Sequence, residues 1–218
     1  MSDESLFREV DEEVRQEQFK KLWSRYGNAV VGLGVLVILG VAGFQGWHYW
    51  QLKQSEAAGQ SFFTAAQLAS SGKADEALKD FQAISQTGFA DLARLRMAAE
   101  YATQGKADEA VKIYDAVAAD AKVDSSLRDL ARIRAAAVLA NTASFADMET
   151  RLKGFDAADN PWRHMARELL ASVQFRLKDY QGADKQVQAI LADPATPAGQ
   201  RQRAETMAQL LQPMVTSQ

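Results

Sequence analysis

His164 and Glu168 stand four residues apart in a stretch with helical periodicity, a spacing that puts an imidazole and a carboxylate on one helix face as an acid–base couple. The same spacing serves equally well as a surface pair between successive turns. Asp75-Glu76 and Asp108-Glu109 are paired carboxylates, but they recur at equivalent places in two similar stretches. A catalytic acid is rarely needed twice at one structural position, so the pairs point to architecture. The 218 residues include no cysteine and two histidines, His48 and His164, far apart in the chain. Thiolate nucleophiles, disulfides and Cys-ligated zinc are thereby excluded, and a histidine-rich metal site lacks ligands. No GxSxG elbow, P-loop or HExxH helix is present. The expectation is a protein that is not an enzyme, with no catalytic, cofactor-binding or metal-binding residues. Catalysis by His164 and Glu168 is the alternative from that class.

Three arginines recur in a different way. Arg94, Arg132 and Arg167 each follow an alanine in related Ala-Arg contexts, LARLRMAA, LARIRAAA and HMARELLA. They are the candidate partner-binding residues, a basic ladder for carboxylates or acidic segments. The other reading pairs each arginine with Asp or Glu on a neighbouring helix, or leaves it solvated. A net charge of -3 argues against nucleic acid as a partner, since phosphate neutralisation needs clustered excess Lys and Arg.

The elements that position these residues emerge from self-comparison. AAQLASSGKADEALKDFQAIS from Ala65 recurs as AAEYATQGKADEAVKIYDAVA from Ala98, an offset of about 33 residues, the period of a helical hairpin repeat. Gly72 and Gly105 supply permissive backbone at the turn. Ala77 and Ala110 let helices approach, and Phe81 and Tyr114 are the larger knobs beside them. A fourth unit contains KDYQGADKQVQAI from Lys178, while the third, around Phe145 to Phe155, is degenerate. Asn160-Pro161 and Thr196-Pro197 read as helix starts with a side-chain acceptor followed by a first-turn proline, and Pro213 as a helix stop. No alternating strand pattern is present. The expected fold is all-α, about nine helices in four hairpins and a terminal cap, stacked as a tetratricopeptide-like solenoid with an extended binding surface.

Before the repeats, Ala29 to Phe44 carries no charge, and with the run to Trp50 reaches about 20 residues, enough to cross the hydrocarbon of a bilayer. Trp23 and Tyr26 on one side, and Trp47, Tyr49 and Trp50 on the other, are the membrane-interface residues. A cleaved signal peptide fits less well, because an acid-rich stretch precedes the apolar run and no Ala-x-Ala site follows. Arg15, Lys20, Lys21 and Arg25 before the span, against Lys53 just after it, place the N-terminus in the cytoplasm. The expected organisation is a cytoplasmic tail over 1–25, a single transmembrane helix over 26–50 and an exported repeat domain over 51–218. Within the tail, Leu6, Phe7, Val10, Val14, Phe19 and Leu22 form an imperfect apolar stripe, either a short amphipathic helix or part of a solvated segment.

With KKLWSRYGNAVVGLG entering the span, GWHYWQLKQ leaving it and GKADEA at both turns, the chain resembles the ancillary SecYEG translocon subunit family. The resemblance in layout covers nearly the whole length. It implies a bacterial inner-membrane protein with a periplasmic repeat domain, an accessory scaffold that contacts Sec translocon subunits, periplasmic chaperones or exported polypeptides, and the lipid bilayer. A cell-envelope scaffold for division or membrane-complex assembly is the alternative.

Overall fold

The structure, a computed structural model, describes the backbone of residues 3–86 and 88–216, and the side chains among them apart from those of 3–18, Leu22 and Val30. Most side chains of the apolar stripe proposed for the tail therefore lie outside those described. Nine α-helices and no strand occur among the described residues: α1 (Asp3–Ser70), α2 (Ala74–Ala83), α3 (Phe89–Thr103), α4 (Ala107–Ala119), α5 (Ser125–Leu139), α6 (Phe145–Arg151), α7 (Arg163–Arg176), α8 (Tyr180–Ala192) and α9 (Ala198–Thr216). The chain divides into two units, with the boundary between Glu56 and Ala57 inside α1.

In the first unit α1 carries a segment of mean hydropathy 2.1, long and apolar enough to cross a membrane. Its aliphatic side chains point outward on every side: Leu36, Ile38 and Leu39 follow one another around the helix and are each more than 60% exposed. A helix that is apolar all round finds its stable environment in lipid or a protein interior. Trp23, Tyr26, Trp47, Tyr49 and Trp50 are likewise exposed. Lys53 Nζ lies 5.8 Å from the Tyr49 ring centroid and Arg25 Cζ 5.8 Å from that of Tyr26, so each aromatic group has a cation beside it.

The second unit is a chain of helical hairpins. At its first turn, Gly72 N–H donates to the Ala69 carbonyl (3.1 Å) and Lys73 N–H to that of Leu68 (3.0 Å), with φ +80° at Gly72. This paired closure satisfies the helix's last carbonyls and needs one left-handed residue. Gly105 repeats it with φ +75°, through Ala102 (3.1 Å) and Tyr101 (2.9 Å). The next helix folds back so that Ala77 and Ala110, both fully buried, meet the partner helix without a side chain to hold it off. Phe81 and Tyr114 fill the adjoining space. Four apolar clusters succeed one another along the unit, each made mostly of consecutive helices, so cohesion passes between neighbours as in other repeat proteins.

Two expected helix signals behave differently. Pro213 lies inside α9, which continues to Thr216. Proline lacks a donor and its ring crowds the carbonyl four residues earlier, but here Leu211 and Val215 pack on the last hairpin on either side of it. Thr196 does not cap α9. Its hydroxyl turns inward and donates to the Ile190 carbonyl at 2.6 Å. Asn160 does act as an acceptor, taking the Trp162 N–H at 2.8 Å, one turn before α7 begins at Arg163.

Candidate partner-binding site

The pair with catalytic spacing is separated by the fold. His164 is 4% exposed and faces inward, whereas the Glu168 carboxylate bonds the Arg203 guanidinium of α9, 2.9 Å at the second contact. The Thr196 hydroxyl spends its hydrogen on Ile190, so it accepts from His164 Nδ1 at 3.3 Å. That leaves Nε2 as the unprotonated nitrogen, 3.6 Å from Asp193 Oδ2 and without a hydrogen-bond partner. Burial, then the Arg163 charge, holds the imidazole pKa below its usual value. Asp193 is held at about 2, chiefly by the Arg163 side chain, 2.7 Å away, and by the Ala195 N–H. The cluster ties α7 to the α8–α9 loop with its imidazole neutral, a structural arrangement and not the surface pair that i,i+4 spacing also allows. Among the described residues, no group of His, Cys, Asp or Glu is placed to hold a metal ion.

The three arginines occupy corresponding positions on α3, α5 and α7, each after a buried alanine: Ala93, Ala131 and Ala166. Their partners differ. Arg94 Nη1 lies 3.2 Å from Asp120 Oδ2 and 3.6 Å from Asp91 Oδ1. Arg167 donates to the carbonyls of Ala189 (3.3 Å) and Asp156 (3.0 Å). Arg132 is exposed and makes no hydrogen bond or ion pair among the described residues.

All three lie along one side of the second unit. There the even-numbered helices α2, α4, α6 and α8 do not approach one another, while α3, α5, α7 and α9 meet in succession. Clefts open between the even helices, floored by the odd helix beneath. Between α2 and α4 the cleft is about 530 Å³ and mainly apolar, with Met97 and Tyr101 on its floor and Ile84 and Ile113 on its walls. Between α4 and α6 it is about 840 Å³ and of mixed polarity. The Arg151 guanidinium of α6 reaches across it to the Asp115 carboxylate of α4, with Nη2–Oδ2 at 3.1 Å.

Repeated hairpins of this kind have known relatives. The sequence model of the tetratricopeptide repeat-like domain matches residues 20–159. The chain belongs to this family. It is also similar to the ancillary SecYEG translocon subunit of Haemophilus influenzae (strain ATCC 51907 / DSM 11121 / KW20 / Rd), at 35% identity over 92 residues, 39% of this chain and 44% of that protein. The chain thus matches less than half the length of that relative.

Within the repeat-like domain, Asp115, Met148, Arg151 and Lys153 carry no sequence signature, yet all line the larger cleft. The one available signal was the degeneracy of the third unit. There α6 has 7 residues, where α4 and α8 have 13 each. Ser144 starts this short helix by accepting the Asp147 N–H at 3.2 Å and donating to its carboxylate at 2.6 Å.

Proposed function

We propose that this chain is a membrane-anchored, protein-binding accessory of the Sec translocon, with its N-terminus in the cytoplasm and its repeat domain in the periplasm. The similarity to an ancillary translocon subunit, within a tetratricopeptide repeat-like framework, is the observation that carries this reading. Two further features support it. The outward-facing aliphatic surface of α1 suits a bilayer or an intramembrane partner, and the basic residues before the span favour retention of that side. Clefts between helices offer long surfaces on which many modest contacts with a chaperone or an exported polypeptide accumulate. No step of catalysis is assigned: His164, the one buried titratable group with catalytic spacing, is committed to holding a loop.

Because the chain has no cysteine, single cysteines at Ser2→Cys and Gln218→Cys report topology cleanly. In intact spheroplasts a membrane-impermeant maleimide is expected to label the second and spare the first. Purification of the full chain from gently solubilised membranes is expected to bring Sec channel subunits with it. Labelling of Ser2→Cys, or co-purification of division or envelope-assembly proteins with no Sec subunit, would remove this reading.

A further inference from the structure

The third repeat unit is irregular in a way that opens a site. At the first corresponding position Arg94 closes on Asp120, at the end of α4, and at the third Arg167 closes on carbonyls at the end of α8 and beyond α6. Arg132 should close likewise on the end of α6. That helix stops at Arg151, about two turns shorter than α4 and α8, and the chain turns through Gly154 at φ +84°. Beside this shortened wall the α4–α6 cleft is the wider of the two, and Arg132 has no group at the end of α6 to close on.

The charges left in the cleft are unbalanced. Asp115 pairs with Arg151, and Asp147 keeps its charge while its carboxylate accepts from the Ser144 hydroxyl at the start of α6, so three bases face two acids across the cleft. Arg132 and Lys153 make no ion pair among the described residues. Leu139, half-buried, gives the cleft an aliphatic patch, with Ala118 and Met148 buried behind it. A planar guanidinium prefers a carboxylate, which it grips with two parallel hydrogen bonds, and an aliphatic patch beside it accepts the neighbouring side chain.

We infer that the α4–α6 cleft binds an acidic, partly aliphatic segment of a partner polypeptide, with a partner carboxylate taking the place on Arg132 that the third repeat leaves empty. The inference rests on the reading of the chain as a protein-binding scaffold, and it does not depend on which complex the scaffold joins. Lys153 adds long-range attraction at the cleft's edge, so binding weakens as salt screens it. The wider cleft distinguishes this unit from the one before it, whose arginine is already satisfied and whose cleft is mainly apolar.

The test uses the full chain in lipid nanodiscs and a fluorescent peptide of alternating Glu and Leu, read by anisotropy at low and physiological salt. The structure leads us to expect saturable binding of the Glu peptide, none of its Gln counterpart, and an affinity loss of roughly tenfold or more in Arg132→Gln, the usual effect of removing a charge-assisted hydrogen bond. Arg134→Gln is the control. It removes an exposed arginine about 200° around the same helix and should leave affinity unchanged. Arg132 holds nothing within the fold, so the variant should melt with the wild type. Equal losses in the two variants, or full affinity in Arg132→Gln, would overturn the assignment. Displacement by inorganic phosphate as effective as by unlabelled peptide at matched ionic strength would overturn it too, since the cleft would then read charge and not a polypeptide. Failure here with Sec subunits still co-purifying would refute the cleft alone, and peptide binding without Sec association would refute the translocon reading alone.

Discussion

Lys178 adopts the left-handed backbone, φ +64°, at the hairpin turn position that Gly105 takes with φ +75°. The hydrogen bonds match as well: Lys178 N–H donates to Phe175 (3.0 Å) and Asp179 N–H to Gln174 (2.9 Å), as Gly105 and Lys106 do two units earlier. A residue with a β-carbon pays about 1 to 2 kcal/mol for that conformation. Glycine avoids it but is freer in the unfolded chain by roughly 0.5 to 1 kcal/mol. Lys178→Gly is therefore expected to stabilise the protein by up to about 1 kcal/mol, and Gly105→Ala to destabilise it by a similar amount. Urea unfolding of the two variants checks both signs.

Gly182 occupies the place that Glu76 and Glu109 hold in the first two units, directly after the fourth turn. A β-carbon there would run into Gln174 Nε2 and the Asp179 carboxylate. Those two groups bond each other at 2.8 Å, and Asp179 also caps α8 by accepting the Gly182 N–H at 2.9 Å. Gly182→Ala should thus lower stability by about 1 to 3 kcal/mol, although helix propensity alone predicts a gain near 1 kcal/mol. A raised melting temperature would contradict the packing described.

Ala77 and Ala110 are fully buried at the helix crossings of the first two hairpins. Leucine at either site overpacks the crossing and is expected to cost about 1 to 3 kcal/mol. Thermal unfolding with α-helical circular dichroism reads the effect, and an unchanged melting temperature would show that the crossing is not close-packed.

The His164 cluster predicts a stability loss in acid. Burial and Arg163 depress the His164 pKa in the folded chain, so the unfolded chain takes up the proton first as pH falls. This contribution is full above the unfolded value near 6.5 and is lost below it, down toward the folded value. Asp193, at about 2, adds a second loss from the ordinary carboxylate range down to that value. Melting temperature should fall between pH 8 and pH 5.5 in the wild type. His164→Phe should flatten that interval and leave the steeper decline at lower pH.

The helical hairpins were legible wherever the sequence repeats itself. GKADEA occurs twice, so Gly72 and Gly105 could be placed at turns and Ala77 and Ala110 at crossings from one comparison. Lys178 was not legible as their counterpart, because the fourth turn replaces the permissive residue with a strained one and compensates through the Asp179 cap. His164 and Glu168 shared the right spacing, but periodicity does not tell which side of a broad helix face is covered. α8 and the α8–α9 loop bury the first, and α9 claims the second. The arginines' register was readable and their partners were not. Asp120 lies 26 residues from Arg94, and the missing partner of Arg132 depends on where α6 ends. Pro213 was misleading because Leu211 and Val215 pack on either side of it and α9 continues despite the missing donor and the crowded ring.

The most direct test of the account is photocrosslinking in intact cells from Gly43, where an added side chain would meet nothing within the chain. A photoreactive residue there is expected to capture Sec channel subunits, identified by mass spectrometry of the adducts. Adducts only to division or cell-wall proteins, with no Sec subunit among them, would contradict the account.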